Sequence, residues 1–214
     1  MRKPIEKECR VKKSPPSVQP SLVLASASER RRNLLEQINV VPNLIDPANL
    51  EEARRKGESP RALAERLARE KAATVAERHR GAIVLGADTV VACGRRILPK
   101  AESPEQARHC LELLSGRRHL VVSAISLVSP VGAMRSRVVV TAVRFKRLNA
   151  VEVEAYLQTC EWQGKAGGYA IQGHAAIFVA WINGSYSNIV GLPLFETHAM
   201  LTSAGLTGLR LPSD

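Results

Sequence analysis

Charged and polar side chains occur at several places where their neighbours suit acid–base chemistry or anion binding. Asp88 interrupts the apolar run VLGADTVVAC (84–93), and only the small residues Gly86 and Ala87 precede it closely. The run predicts one strand that ends before Asp88 and a second that follows it. Strand ends in α/β proteins commonly carry reactive groups, because the sheet fixes the backbone there. The carboxylate is therefore a candidate reactive group, although a turn-capping role is open for Asp88 alone.

Cationic side chains follow in positions that suit a phosphate group. The segment SASERRR (26–32) comes where a short apolar strand gives way to a helix, and helix starts bind anions through backbone N–H groups. Lys71 falls within the apolar stripe of a long helix, so it either extends to the helix edge or has an anionic partner. Lys100 follows the second strand of the Asp88 region and by itself is typical of a surface lysine.

Two further segments suit a metal ion and a nucleobase. Glu51 and Glu52 form a carboxylate pair, and Mg²⁺ commonly takes one or two protein carboxylates together with substrate phosphates. A solvated acidic patch opposite Arg54 and Arg55 explains the pair equally simply. The glycine-rich segment GKAGGYAIQG (164–173) allows close backbone approach to a ligand, and Gln172 within it has the donor and the acceptor that reading a base edge requires.

The apolar periodicity around these residues predicts a mixed α/β fold, in which early strands alternate with helices and later strands pair antiparallel. Strands are expected at 22–25, 40–45, 82–87, 89–93, 119–128, 134–145 and 175–182. Helices are expected after a capping box at 26–29, from 59 to about 79, from 103 to 115, from 149 to about 160, and from 194 onward.

Composition narrows the class of protein. The 214 residues are 45% hydrophobic and 24% charged, and no apolar run approaches the length of about 20 residues that a membrane helix needs. Residues 1–20 are basic and rich in proline, so we expect a flexible extension before one folded domain at 21–214. The net charge of +11 favours anionic partners, whereas 4% aromatic residues are few for stacking on single-stranded nucleic acid. The four cysteines are scattered and form no C-x-x-C pair. This spacing indicates reduced thiols in the cytoplasm and no zinc site.

Six stretches in order resemble the Maf family of nucleoside triphosphate pyrophosphatases over residues 22–203. They are LASASERRRNLL (24–35), LAREKA (67–72), GADTVV (86–91), LSGRRH (114–119), KAGGYAIQG (165–173) and INGSYSNIVGLPL (182–194). The resemblance implies a mixed sheet with two lobes around a deep cleft, related to the inosine-triphosphate pyrophosphatase (Maf/Ham1) architecture. It also implies hydrolysis between the α and β phosphates with a divalent metal, Mg²⁺ or Mn²⁺.

The resemblance further implies roles for individual residues. Asp88 matches the catalytic base of the family. The chain departs from the family at Ala101, because a proline usually follows the lysine that Lys100 matches. Substrate choice would follow three positions that match the subgroup acting on dTTP and UTP: Arg30, Thr89 and Gln172. Phosphate contacts would come from Ser26, Arg31, Lys71 and Lys100, and metal contacts from Glu52 and Asp88.

The sequence therefore predicts a cytoplasmic hydrolase of acid anhydrides that cleaves dTTP and UTP to the monophosphate and pyrophosphate, as house-cleaning of the nucleotide pool. Its expected partner is the nucleoside triphosphate substrate, and binding to a membrane or to nucleic acid is not expected. Modified pyrimidine nucleotides as further substrates, and a homodimer, are left as open alternatives. Two alternatives are a 7-methyl-GTP-type pyrophosphatase of the same family and a non-catalytic, basic nucleic-acid-binding protein that affects cell division. The pI near 10 favours the second.

Overall fold

A computed structural model describes residues 20–206, so the expected extension at 1–20 lies almost wholly outside the described residues. The strands are β1 (Leu22–Leu24), β2 (Leu44–Ile45), β3 (Ile83–Cys93), β4 (Arg96–Leu98), β5 (Arg118–Val128), β6 (Met134–Phe145) and β7 (Val179–Asn183). The helices are α1 (Glu29–Glu36), α2 (Pro60–Arg78), α3 (Pro104–Leu114), α4 (Ala150–Gln158), α5 (Tyr186–Val190) and α6 (Leu194–Ser203), with a 3₁₀ helix at His174–Phe178. Within 20–206, no helix is both long enough and apolar enough to cross a membrane.

The strands form one mixed sheet in the order β2-β1-β3-β5-β6-β7, with β4 added beside β3. β1 lies parallel to β2 and to β3, whereas β3, β5, β6 and β7 pair antiparallel in succession. The early parallel strands and the later antiparallel strands follow the alternation seen in the sequence. The mixed α/β class is therefore confirmed.

The central strand β3 does not end at Asp88, so that prediction was wrong. β5 pairs with it without interruption from Val84 to Ala92, and Asp88 stands opposite Ala124 in this register. The continuous pairing holds the backbone extended through Asp88, where the sequence had predicted a break between two strands. Asp88 thus occupies the midpoint of a long buried strand.

One edge of β3 is open around Asp88. β1 covers only Ile83–Leu85 on that edge, and β4 covers only Val91–Cys93. Among the described residues, no strand pairs with the intervening positions 86–90 on this side. The chain leaves β1 at Ala25 and leaves β4 at Pro99, so two loops border this gap in the sheet.

Apolar packing on the two sides of the gap forms two lobes that share the same long strands. Before the gap, Ile83 and Leu85 pack with residues of β1, α1 and α6. Beyond it, Val91 packs with residues of α3, α4 and β7. Because β3 and β5 contribute to both clusters, a single sheet spans the two lobes.

Several local predictions need correction. The second strand is only Leu44–Ile45, because the Asn43 side chain accepts a hydrogen bond from the Leu22 backbone and the segment before it is not paired. The last strand begins at Val179 after the 3₁₀ helix rather than at 175. The capping box at 26–29 does not form, since Ser28 caps α1 without a side-chain bond. Ser59, Ser103 and Asn149 cap their helices as predicted.

Helix α2 lies against the face of β3 that carries Asp88, at a distance that only glycine permits. A Cβ atom on Gly86 would stand 2.5 Å from the Ala68 carbonyl oxygen and 2.7 Å from the Ala72 nitrogen, both in the backbone of α2. Lys71 lies on the same turn of the helix as these two alanines. The close approach at Gly86 therefore sets how near Lys71 comes to Asp88.

We predict that Gly86→Ala lowers the free energy of unfolding by about 1–3 kcal/mol, because the new methyl group forces α2 away from the sheet. Urea denaturation followed by circular dichroism measures this change. An unaltered denaturation midpoint and slope would contradict the close packing of α2 on β3.

Candidate active site

A cavity of about 890 Å³ opens at the gap beside β3. It is bordered by the start of α1, the loop 47–52, helix α2, the loops after β4 and α4, and the segment 189–191. Every residue selected from the sequence lies in its lining: Ser26, Arg30, Arg31, Glu52, Lys71, Asp88, Thr89, Lys100 and Gln172. Residues separated by up to 146 positions in the chain are thus brought to one site.

A chain of ionic contacts joins the acidic and basic groups. The Lys71 ammonium lies 2.7 Å from Asp88 Oδ1 and 2.6 Å from Glu52 Oε1. Lys100 contacts the other oxygen of Glu52. Lys71 is 9% exposed and Asp88 3% exposed, so both charges are largely withdrawn from water. Of the two alternatives for Lys71, the anionic partner is confirmed.

These contacts set the ionisation of the site. Burial alone would raise the pKa of Glu52, but hydrogen bonds from Lys100 and Lys71 outweigh it and lower the pKa to about 2. Burial lowers the pKa of Arg31, against the opposing charges of Asp88 and Glu52. Glu52 is therefore ionised at neutral pH, and it holds two ammonium groups at the cavity.

Asp88 keeps one oxygen available. Oδ1 accepts the hydrogen bond from Lys71. Oδ2 accepts no hydrogen bond from the described residues, and it is not fully buried. Oδ2 therefore faces the cavity. A carboxylate fixed through one oxygen and open at the other can orient a water molecule and accept its proton.

Arg31 links three walls of the cavity. Its guanidinium donates to the Gly191 carbonyl at 3.0 Å, to Ser26 Oγ at 2.9 Å and to Thr89 Oγ1 at 3.4 Å. Thr89 Oγ1 also lies 2.8 Å from Ser123 Oγ. Ser26, Arg31 and Thr89 consequently hold one another in place, and Ser26 is used by this network instead of by a helix cap.

The glycine-rich loop pairs with the residues after β4. Gly167 N–H donates to the Pro99 carbonyl at 3.0 Å, and Gly164 N–H donates to the Ala101 carbonyl at 2.8 Å. Ala101 N–H donates to the Lys165 carbonyl at 3.1 Å, a bond that proline could not make. The departure at Ala101 thus adds a hydrogen bond, and Lys100 still reaches the cavity.

The side chains of two predicted substrate-selecting residues make no hydrogen bond or ion pair with the described residues. Gln172 is exposed, and neither its amide nor the Arg30 guanidinium makes a hydrogen bond within the described residues. Burial and the neighbouring charge of Arg31 lower the pKa of Arg30. Both side chains are available to a ligand, in contrast to Thr89.

Three further lining residues were not selected from the sequence. Lys165 lies inside the glycine-rich motif, which is the signal that could have found it. Tyr169 is buried and its hydroxyl lies 2.9 Å from His119 Nε2. Glu161 accepts a hydrogen bond from the His174 backbone at 2.8 Å, and no pattern in the sequence marks it.

Asp88 and Glu52 are the candidate carboxylate ligands for a metal ion at this site, and the Lys71 ammonium contacts both of them. Within residues 20–206, no group of three or more His, Cys, Asp or Glu side chains could enclose a metal ion. Asp88 and Glu52 contact the same ammonium nitrogen, so their carboxylates lie within about two hydrogen-bond lengths of each other. Two nearby carboxylates match the protein share of a Mg²⁺ site whose other ligands are phosphate oxygens and water.

The family model and the related sequences agree on one family. A family model described as Maf-like protein matches residues 21–204. The dTTP/UTP pyrophosphatase of Rhodospirillum rubrum is 61% identical over 184 residues, covering 86% of this chain and 88% of the relative. That of Paramagnetospirillum magneticum is also 61% identical over 184 residues, covering 86% and 97%. The solved structure of a HAM1 protein from Coxiella burnetii aligns with a TM-score of 0.47 at 17% identity, covering 86% and 99%.

We predict that Lys71→Met lowers the free energy of unfolding by about 3–5 kcal/mol, because it leaves Asp88 buried without a counter-charge. The double variant with Asp88→Asn should lose much less, since the amide is neutral. Arg61→Met, at an exposed position of the same helix, is the matched control and should change stability by less than about 0.5 kcal/mol. Urea denaturation measures all three, and equal losses in the single and double variants would show that the ion pair is not the cause.

Proposed function

The chain belongs to the Maf-like protein family, and from this premise we propose that it hydrolyses dTTP and UTP to the monophosphate and pyrophosphate. Its relatives in Rhodospirillum rubrum and Paramagnetospirillum magneticum carry the name of this activity. The observation that carries the proposal is Asp88, a buried carboxylate with one oxygen open to a cavity lined by arginine and lysine side chains. Such an enzyme removes pyrimidine triphosphates from the nucleotide pool, and its substrates favour a cytoplasmic location.

The cationic side chains support binding of the triphosphate. Lys71 and Lys100 already hold anionic oxygens of Glu52, and Arg30 has no protein partner among the described residues. Negative charge on the three phosphates is the main obstacle to attack by a nucleophile, so fixed cations lower the barrier. Arg31, held by Ser26, Thr89 and Gly191, gives this surface a rigid side.

Asp88 is proposed as the general base. Its Oδ2 would accept a proton from a water molecule as the water oxygen attacks the α-phosphorus. The bond from that phosphorus to the bridging oxygen then breaks, and pyrophosphate leaves with the electron pair. Lys71 holds the carboxylate through Oδ1, so that Oδ2 keeps a fixed position toward the water molecule.

We propose that Glu52 and Asp88 also hold a divalent cation, Mg²⁺ or Mn²⁺, together with phosphate oxygens. When bound there, the cation would neutralise charge on the phosphates and polarise the reacting group. Both carboxylates contact the same ammonium nitrogen, at 2.6 Å and 2.7 Å, so they lie close enough to share one cation.

Selection of the base is proposed to rest on Arg30, Thr89 and Gln172. Phosphate contacts are common to all nucleotides, so discrimination has to come from the base edge. Gln172 is exposed at the cavity with a free amide, and it offers one donor and one acceptor to a pyrimidine ring. The match of these three residues to the subgroup acting on dTTP and UTP, and the names of the relatives, support the pyrimidine subgroup over the 7-methyl-GTP alternative.

We predict that wild-type protein with Mg²⁺ or Mn²⁺ turns over dTTP and UTP in preference to other nucleotides, and that Asp88→Asn lowers kcat by about 10²–10⁴-fold while the protein stays folded. Release of phosphate in the presence of added inorganic pyrophosphatase measures the rate. Asp46→Asn is the matched control, because Asp46 pairs with Arg78 and His79 outside the cavity. Salt-sensitive DNA binding without turnover of any nucleotide would instead favour the non-catalytic alternative.

We also predict that Gln172→Glu lowers kcat/KM for dTTP by at least about tenfold, because the carboxylate lacks the amide donor and carries a charge. Gln163→Glu adds the same charge to the same loop outside the cavity lining and should leave kcat/KM nearly unchanged. Equal effects of the two substitutions would assign the loss to charge alone and remove Gln172 from base recognition.

A further inference from the structure

A second cavity, of about 620 Å³, lies at the beginning of β5 and the end of β6. It shares no lining residue with the first, and its charged lining consists of Arg117, Arg144, Lys146 and Arg147. Arg118, at the start of β5, lies six residues before Ala124, the strand partner of Asp88, which is about 20 Å along an extended chain. The stretch 114–119, which resembles the family, contributes to this cavity and not to the active-site cleft.

The arginines around this cavity have no counter-charge. Arg117, Arg118, Arg144 and Arg147 are exposed, and within the described residues none of them forms an ion pair or a side-chain hydrogen bond. Lys146 is compensated by Glu152. Arg66 and Arg108 are paired with glutamates, whereas single exposed arginines such as Arg61 and Arg135 also form no ion pair with the described residues, so the feature of this site is that several lie together.

Like charges also face each other across the sheet. Arg118 stands directly opposite Arg144 in the register of β5 and β6. Such cross-strand pairs destabilise a sheet unless something neutralises them. The strand register thus brings Arg118 and Arg144 together, and no acidic side chain of the described residues forms an ion pair with either of them.

An exposed aromatic ring completes the surface. Trp181 pairs with Arg144 in the register of β6 and β7, and the Arg118 guanidinium lies 5.9 Å from the centre of its ring. The contact with the ring face orients Arg118 and leaves its N–H groups free to donate in their own plane. Trp181 and Arg118 do not line the cavity, but Trp181 is 39% exposed and adjoins Arg144, which does.

We propose that this basic cavity is a second anion site, which binds adjacent phosphate groups. Guanidinium forks match phosphate oxygens in pairs, and several unpaired arginines around one cavity need a compact ligand with several charges. Pyrophosphate or the phosphates of a nucleotide supply that chemistry, and so do successive phosphates of a single-stranded nucleic acid. The charged groups that line the cavity are all basic, so the proposed role is binding alone. This inference goes beyond the proposed function and does not depend on it.

The fluorescence of Trp181 provides the test, since the other tryptophan, Trp162, is 3% exposed in the core. The full chain is titrated with inorganic pyrophosphate, and separately with an oligothymidylate of about ten nucleotides, at about 50 mM and 200 mM salt. The expected result is a saturable change that is absent in Trp181→Phe. The pair Arg144→Gln with Arg147→Gln should weaken binding at least about tenfold, because two charge-assisted contacts are lost.

The matched control is Arg135→Gln with Arg137→Gln, which removes the same charge from exposed positions of β6 outside both cavities. This pair should change the affinity by less than about twofold. The single variant Arg147→Gln serves if the first pair does not fold by circular dichroism, and it should still weaken binding several-fold.

Binding of pyrophosphate that depends on Arg144 and Arg147 supports the site and identifies a free oligophosphate as its ligand. Binding of the oligonucleotide alone, with the same dependence, supports the site and identifies nucleic-acid phosphates. The proposal is overturned if neither ligand changes the fluorescence, or if the control pair weakens binding as much as the test pair. Turnover of dTTP by the Arg144 and Arg147 variants should equal that of wild type, so the outcome is separate from the fate of the active-site assignment.

Discussion

The active site depends on a charged carboxylate in the middle of a buried strand. An ionised group in such a place has to be paired or else become neutral, and Lys71 supplies the pairing at 2.7 Å. The lysine reaches Asp88 because Gly86 lets helix α2 approach the sheet closely. The same ammonium holds Glu52, so one group joins the central strand, the helix and the acidic loop. Catalysis by Asp88 and retention of a metal would both rest on this shared contact.

The sheet explains why the cavity lies where it does. β1 and β4 cover the two ends of one edge of β3 and leave its middle open, so the loops that follow them border the same gap. Ser26 comes from the first loop and Lys100 from the second. The opposite edge of β3 is paired with β5 along nearly its whole length, and both strands enter both apolar clusters. The cavity therefore has a rigid floor, and adjustment to a ligand is left to the loops around it.

The sequence predicted those features that depend on neighbouring residues. The caps at Ser59, Ser103 and Asn149 follow from local hydrogen bonding, and the position of Lys71 in an apolar stripe reduced its role to two alternatives, between which the structure decides. The family resemblance assigned roles to the residues already selected and added Arg30 and Thr89. Features that depend on distant pairing were missed. The continuity of β3 through Asp88 depends on pairing with β5. Ser26 does not cap the helix because it binds Arg31, which also contacts Gly191, 160 residues away in the chain. The basic cavity joins two segments that are nearly 30 residues apart, and neither is distinctive alone.

The central claim is that this cavity cleaves dTTP between the α and β phosphates, with Asp88 activating water. Phosphorus-31 NMR of dTTP incubated with the protein and Mg²⁺ tests it most directly, because each product has its own resonance. The account predicts that dTMP and pyrophosphate appear in equal amounts, without dTDP or orthophosphate. Appearance of dTDP with orthophosphate would place the attack at the terminal phosphate and contradict the proposed chemistry. An unchanged dTTP spectrum would contradict the assignment of this activity to the chain.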